Sequence, residues 1–238
     1  QRAENVEGKH TVVFSSAIKS DNPEIVAAYE AGERIVHRSD ILALLMNAKR
    51  AVTVAGAHGK TTTSSMLAHI LTHAGEGNLA DPSYAIGGSI QGKDGVTLDG
   101  GHAGKGDVLV AEADESDGSF AKYHPEIAIV TNSEADHLDH YGDEAHYRAA
   151  FVAHAGRATG HVIISIDDPD GLAVLEALPA ARCRLYGGDT YDLRRSLGVG
   201  DARLPLAVVL DRRGRGVYAC ANYNIRAAHT LLRILKLM

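Results

Sequence analysis

The chain has 238 residues and carries 24 Lys and Arg against 30 Asp and Glu, a formal net charge of −6. That balance excludes a general nucleic-acid or anionic-membrane surface, since both need clustered positive charge. With 45% hydrophobic and 23% charged residues the composition is that of a globular protein able to bury one large or two small cores.

No apolar run approaches the roughly 18 residues of a membrane helix, and the polar opening Gln1-Arg2-Ala3-Glu4 does not read as a signal peptide. Cys183 and Cys220 are far apart and fit no metal spacing, so a reducing, cytoplasmic setting is the default. The basic run Asp211-Arg212-Arg213-Gly214-Arg215 reads as a solvated hairpin turn.

In chain order, Thr11 to Ser16 is a strand, and Asp21-Asn22-Pro23 opens a helix running to Gly32 with Pro23 in its first turn. Arg34 to His37 is a short strand, and Ser39 or Asp40 caps a helix carrying Ile41, Leu42, Leu44 and Leu45. This alternation is the rhythm of a parallel sheet. Ala51 to Ala55 is a buried strand. From Thr61 onward Met66, Leu67, Ile70, Leu71 and Ala74 recur on one helical face, with Gly75 at the C-cap.

Beyond it, Tyr84 to Ser89 reads as a strand and turn, and Gly92 to Gly106 as a glycine-rich hairpin or loop. Asp107 to Ala113, Glu126 to Asn132, His161 to Ile166 and Arg184 to Tyr186 are strands. Asp143 to Ala155 and Asp170 to Leu178 are helices. Leu206 to Leu210 and Val217 to Ala221 form a small antiparallel hairpin, and Asn224 to Met238 is a closing helix. The fold class is therefore α/β, a mostly parallel sheet with flanking helices.

Between the strand at 51–55 and its helix lies Gly56-Ala57-His58-Gly59-Lys60-Thr61-Thr62-Thr63. An ordinary strand–helix turn would account for Gly-Lys-Thr alone. Placed after a strand and before a helix, it makes an anion cradle. Glycines admit a phosphate close to the backbone, the helix start points N–H groups at it, and Lys60 adds a full charge. Thr61 is placed to put its hydroxyl on a phosphate-bridging Mg²⁺. The loop is shorter than a Walker loop, because Val54 stands where that pattern has glycine.

Two further strands end in polar clusters. Glu112, Asp114, Glu115 and Asp117 follow Val110-Ala111. Acids gathered at such an edge need a positive partner, and Mg²⁺ is a hard cation that takes oxygen ligands. A solvated acidic loop is the plainer reading. Thr131-Asn132-Ser133-Glu134-Ala135-Asp136-His137 ends the next strand. There Asp136 is placed to fix the tautomer of a metal- or phosphate-binding His137.

Together these segments resemble the Mur ligases, ATP-dependent enzymes that build the peptide stem of bacterial peptidoglycan. The resemblance rests on Ala55 to Thr63, Glu112-Ala113-Asp114-Glu115-Ser116-Asp117 and Asn132 to Tyr141. It also includes Phe14-Ser15-Ser16-Ala17-Ile18 with Asp21-Asn22-Pro23-Glu24-Ile25, and it runs from about Thr11 to Asp168. It implies that residues 1–47 are the end of the UDP-sugar domain and 48–238 the central ATP domain. It implies too that the amino-acid domain is absent, so the chain is expected to bind ATP without completing ligation.

By the same resemblance, Gly56, Ala57, His58, Gly59, Lys60, Thr61 and Thr62 bind ATP. Thr61, Glu112 and His137 hold Mg²⁺, and Lys60 and His137 are catalytic. Asn224 in Tyr223-Asn224-Ile225-Arg226-Ala227-Ala228 falls at the adenine segment, which here lacks the family's histidine and second asparagine. The wording is most similar to the alanine-adding members, with UDP-N-acetylmuramate and L-alanine as substrates and an acyl phosphate as intermediate. A murein-peptide recycling member, a non-catalytic nucleotide-binding fragment and a P-loop kinase remain alternatives.

Overall fold

The computed structural model describes residues 1–91, 96–165, 168–178 and 183–186. The chain divides into two compact units between Ala48 and Lys49. The predicted hairpin at 206–221 and closing helix at 224–238 lie outside the described residues. No described helix is long and apolar enough to cross a membrane.

The first unit is one parallel crossover. Strand β1 (Thr11–Phe14) pairs with β2 (Arg34–His37) in register Thr11 to Arg34, joined by α1 (Pro23–Glu30). Asn22 caps α1 by accepting the Glu24 N–H at 2.9 Å, and Pro23 takes the first helical position, where its missing N–H costs nothing.

Helix α2 (Arg38–Asn47) starts earlier than its sequence suggested. Strand β2 runs straight into it, so the last strand residue, His37, is the cap. Its ring accepts the Ser39 N–H, while the Asp40 carboxylate accepts the His37 N–H at 3.0 Å. Asp40 thus plays the reciprocal role of a capping box rather than that of the cap.

The second unit is built on β3 (Arg50–Ala55), which leads into α3 (Lys60–Ala74). Strands β4 (Ser83–Ala85), β5 (Ile90–Gln91), β6 (Thr97–Leu98), β7 (Gly101–His102), β8 (Val108–Glu112) and β9 (Ile127–Val130) follow. The chain then forms α4 (Leu138–Tyr141), α5 (Glu144–Gly156), β10 (His161–Ser165), α6 (Pro169–Glu176) and β11 (Cys183–Tyr186).

Among the described residues one sheet has the order β11-β10-β9-β3-β8-β4-β7, parallel except for β7. The glycine-rich stretch contributes β7 to that sheet edge, and β6 pairs with β5 in a separate antiparallel ribbon.

Continuous burial explains the unbroken apolar runs in the central strands. All four residues of β9 and the first four of β8 are buried, as expected for strands covered on both faces. Val52, Val54, Val110, Ile127 and Ile129 form the core with Leu67, Ala68 and Leu71 of α3.

Gly75 does end α3, but not in the left-handed conformation usual for a cap glycine. It is extended (φ −68°, ψ 140°), and its N–H bonds to Leu71 O. Glycine is required there because a Cβ would lie 2.3 Å from Leu71 O and 2.4 Å from Leu79 O.

Candidate active site

Strands β8, β3 and β9 are neighbours, so the loops leaving their carboxyl ends share one edge, where ligands of α/β sheets bind. The loop after β3 holds Gly56, Ala57, His58 and Gly59. Gly56 has φ +142°, and a Cβ there would lie 2.1 Å from Thr131 Oγ1. Gly59 is left-handed (φ 83°) and caps α3. The turn is thus compact because the end of β9 is packed against it. The first-turn N–H groups of α3, which a helix cannot satisfy internally, face this edge.

Lys60 folds back over its own loop. Its ammonium donates to Gly56 O at 2.6 Å and Ala57 O at 3.5 Å, and pairs with Glu115 Oε1 at 2.8 Å. Thr61 Oγ1 donates to Glu112 Oε2 at 3.2 Å, and the other oxygen of Glu112 accepts the Gly87 N–H at 2.9 Å. Thr62 is exposed in the first turn of α3.

The end of β9 grips the loop from the other side. His58 N–H donates to Asn132 Oδ1 at 3.0 Å, while Asn132 Nδ2 and Thr131 Oγ1 both donate to His58 O, at 2.8 and 2.7 Å.

The four acids after β8 do not form one cluster, which corrects the expectation that Mg²⁺ compensates them together. Asp114 accepts the Ser116 N–H at 3.1 Å and Asp117 the Ser119 N–H at 2.9 Å, so both serve local turns. Burial would raise Asp114, but the Ser116 hydroxyl and N–H outweigh it and hold its carboxyl below the usual range. Glu112 faces Thr61. Glu115, wholly buried, faces Lys60. Burial pushes the Glu115 carboxyl upward, and the Lys60 ammonium pulls it part of the way back.

His137 is left-handed (φ 51°) and caps α4. The expected carboxylate–histidine hydrogen bond is not formed. Asp136 Oδ1 accepts the backbone N–H of His137 at 2.8 Å, and its other oxygen stands 3.8 Å from Nε2. A residue after a strand end has short side-chain reach to its own peptide, and here the local turn takes the carboxylate. The Nε2 atom also lies 4.0 Å from Glu115 Oε1. Tyr141 donates to Glu115 O at 2.5 Å. Burial and the nearby Glu115, Asp117 and Asp114 charges push its phenol up to about 12, so it remains a donor.

The donor set suits a hard cation in part. Thr61 Oγ1 and Glu112 Oε2 are adjacent oxygens, and Mg²⁺ bound beside phosphates needs one or two protein oxygens with the rest supplied by phosphate and water. Among the described residues no three His, Cys, Asp or Glu side chains converge as a metal cage. His137, implied for a second Mg²⁺, has Glu115 and Asp136 as its carboxylate neighbours. Asn224 lies outside the described residues.

Three contributors were not singled out from sequence: Glu115 as the lysine's partner, Thr131 as a loop clamp, and Gly87 as a donor to Glu112. Gly87-Gly88 after β4 carried a usable signal, since paired glycines at a strand end mark close approach. A Cβ on Gly88 would stand 2.7 Å from Thr61 Cγ2.

Residues 54–194 match the Mur ligase middle domain, and residues 1–50 match the Mur ligase family catalytic domain. Over 220 residues the chain is 76% identical to UDP-N-acetylmuramate–L-alanine ligase of Bifidobacterium longum, covering 91% of this chain and 42% of that protein. The protein of the same name from Kineococcus radiotolerans is 48% identical over 198 residues, 81% of this chain and 40% of the relative. The chain therefore spans less than half the length of these relatives.

Among solved structures, UDP-N-acetylmuramate–alanine ligase from Thermotoga maritima is similar with a TM-score of 0.63 at 31% identity, over 72% of this chain and 39% of that one. UDP-N-acetylmuramate:L-alanyl-gamma-D-glutamyl-meso-diaminopimelate ligase from Neisseria meningitides shares the fold, with a TM-score of 0.66 at 23% identity over 79% and 62% of the two chains. The short Gly-Lys-Thr loop at the edge of a parallel sheet sits inside a matched middle domain that covers more than half of the sequence, and the chain belongs to the Mur ligase family.

Proposed function

We propose that this edge binds the phosphates of ATP and serves the ligation of L-alanine to UDP-N-acetylmuramate in peptidoglycan synthesis, in the cytoplasm. The observation that carries the reading is the loop at residues 56–61, with Lys60 and Thr61 directed at the neighbouring strand end and Glu112 3.2 Å from the Thr61 hydroxyl. Identity of 76% to proteins named for that reaction supports the substrates. Residues 1–47 are read as the end of a UDP-sugar-binding domain and residues 48–238 as the ATP domain.

In this reading the sugar carboxylate attacks the γ-phosphorus and ADP leaves. The amine of alanine then attacks the acyl carbon, losing a proton, and inorganic phosphate departs. Gly56, Ala57, Gly59 and Thr62 surround the phosphates with backbone donors, His58 lines the same loop with its own N–H held by Asn132, and Lys60 neutralises charge on the transferring group. Thr61 and Glu112 would hold one Mg²⁺ and His137 would contribute to a second. The metal would neutralise phosphate oxygens and template attack and departure.

Thermal melting tests the reading. ATP with Mg²⁺ raises the melting temperature of the wild-type chain, and Lys60→Ala removes most of that rise. An equal ligand-induced rise in both proteins would show that Lys60 does not meet phosphate.

A further inference from the structure

Glu115 carries a wholly buried charge whose Oε1 pairs with Lys60 and whose Oε2 has no hydrogen-bond partner. An ammonium has three donors, and Lys60 has engaged partners for all of them: Gly56 O, Ala57 O and Glu115 Oε1. A phosphate entering the loop must take over one of these contacts. The two carbonyls are neutral and belong to the loop itself. The carboxylate is an anion, and a phosphate on the same ammonium would repel it at close range in a medium that screens poorly.

Glu115 also has a second basic neighbour. His137 Nε2 stands 4.0 Å from the oxygen that Lys60 holds, and the Tyr141 hydroxyl pins the Glu115 backbone beside it.

Building on the reading of the loop as an ATP site, we infer that Glu115 is a positioning residue. It is the resident counter-ion that holds Lys60 in the nucleotide-free loop, and it turns to His137 when phosphate takes the lysine. The buried carboxylate then stands in for the phosphate, keeping Lys60 from closing on other anions and keeping the loop folded between turnovers. Occupancy of the phosphate site is thereby coupled to His137.

The test uses Glu115→Gln, which keeps the shape and removes the charge, with metal-free tripolyphosphate as probe. Calorimetry is expected to show tripolyphosphate binding tightened about tenfold, equivalent to ~1.4 kcal/mol. Acetylation of Lys60 by an N-hydroxysuccinimide ester, followed by peptide mass mapping, is expected to run several-fold faster in the variant. A merely structural role would lower the melting temperature and move neither readout in this direction.

His137→Ala is expected to weaken tripolyphosphate binding in the wild-type background and to have little effect in Glu115→Gln, a non-additive cycle. Glu115→Asp, which withdraws the carboxylate by one methylene, covers the case in which the glutamine variant fails to fold, and is expected to tighten binding by a smaller factor. Unchanged or weaker tripolyphosphate binding in the folded variant, or strictly additive effects, would overturn the counter-ion role. If the wild type binds no MgATP, the ATP reading itself fails. If it binds MgATP while the Glu115 variants behave as wild type, only the counter-ion role fails.

Discussion

The side-chain amide of Asn132 closes on both ends of the His58 residue, accepting its N–H at 3.0 Å and donating to its carbonyl at 2.8 Å. A side chain at the end of β9 thus completes, for one loop residue, the pairing that a neighbouring strand would supply. Thr131 adds a second donor to the same carbonyl, so the apex of the loop is held from outside. The loop can therefore stay short, with Gly56 where a longer Walker loop would need another turn.

Asn132→Asp keeps the volume and the acceptor but replaces the Nδ2 donor with an oxygen that faces His58 O. We expect MgATP affinity to fall about threefold to tenfold, the scale of one exposed hydrogen bond replaced by two facing acceptors. Calorimetry on the folded variant checks this, and retention of wild-type affinity would mean that the clamp is not needed to shape the loop.

Glu112→Gln is expected to raise the Mg²⁺ concentration that half-saturates ATP binding by at least about tenfold, in line with what supporting polar groups contribute to metal sites. The control is Glu144→Gln, on the exposed first turn of α5. Asp143 is unsuited to that purpose. It caps α5 by accepting the His146 N–H at 2.8 Å, so removing it costs helix stability. Overlapping Mg²⁺ titrations of the Glu112→Gln and Glu144→Gln proteins would remove Glu112 from the metal.

Much of the site was legible because its parts are local. Strands β3, β8 and β9 are covered on both faces and appear as unbroken apolar runs, and the Gly-Lys-Thr loop follows one of them directly. Glu112 and His137 stand out as candidates by their position at the ends of such runs. The pairings were not legible. Nothing near Glu115 in sequence says that its partner is Lys60, 55 residues earlier, nor that Asn132 reaches His58 across 74. Local chemistry also misled at Asp136, where adjacency to His137 suggested a side-chain pair and the turn used the backbone N–H instead. The start of α2 shifted for a related reason, since a strand passing straight into a helix leaves its own last residue as the cap.

Gly56 and Gly77 separate two reasons for glycine. Both have positive φ, but a Cβ on Gly77 meets nothing within 4 Å, whereas one on Gly56 lies 2.1 Å from Thr131 Oγ1. Gly77→Ala is expected to cost about 1 kcal/mol, the left-handed penalty alone. Gly56→Ala adds displacement of Thr131 and is expected to cost about 3 kcal/mol. Urea unfolding of the two variants tests the difference, and equal losses would show that the loop and the end of β9 separate without cost.

His154 gives the second unit a built-in acid sensitivity away from the candidate site. The ring is wholly buried and stacks on Phe120 with centroids 5.0 Å apart. Its Nδ1 lies 3.0 Å from Phe120 O and therefore carries the proton, leaving Nε2, 3.1 Å from Thr53 Oγ1, to accept the hydroxyl. The neutral ring is satisfied at both nitrogens. Burial drives its pKa from the ordinary 6.5 down to about 4; the Phe120 carbonyl opposes that shift and the Arg157 charge adds to it. Below pH 6.5 the unfolded chain takes up a proton that the folded one refuses until near pH 4. The contribution is therefore present above 6.5 and lost as pH falls through that window, about 2 kcal/mol between pH 7 and pH 5. His154→Gln keeps a donor and an acceptor without titrating there. It is expected to be less stable than the wild type at pH 7 and to lose about 2 kcal/mol less on going to pH 5. Urea unfolding followed by circular dichroism at the two pH values decides it: parallel losses would place the acid sensitivity elsewhere in the core.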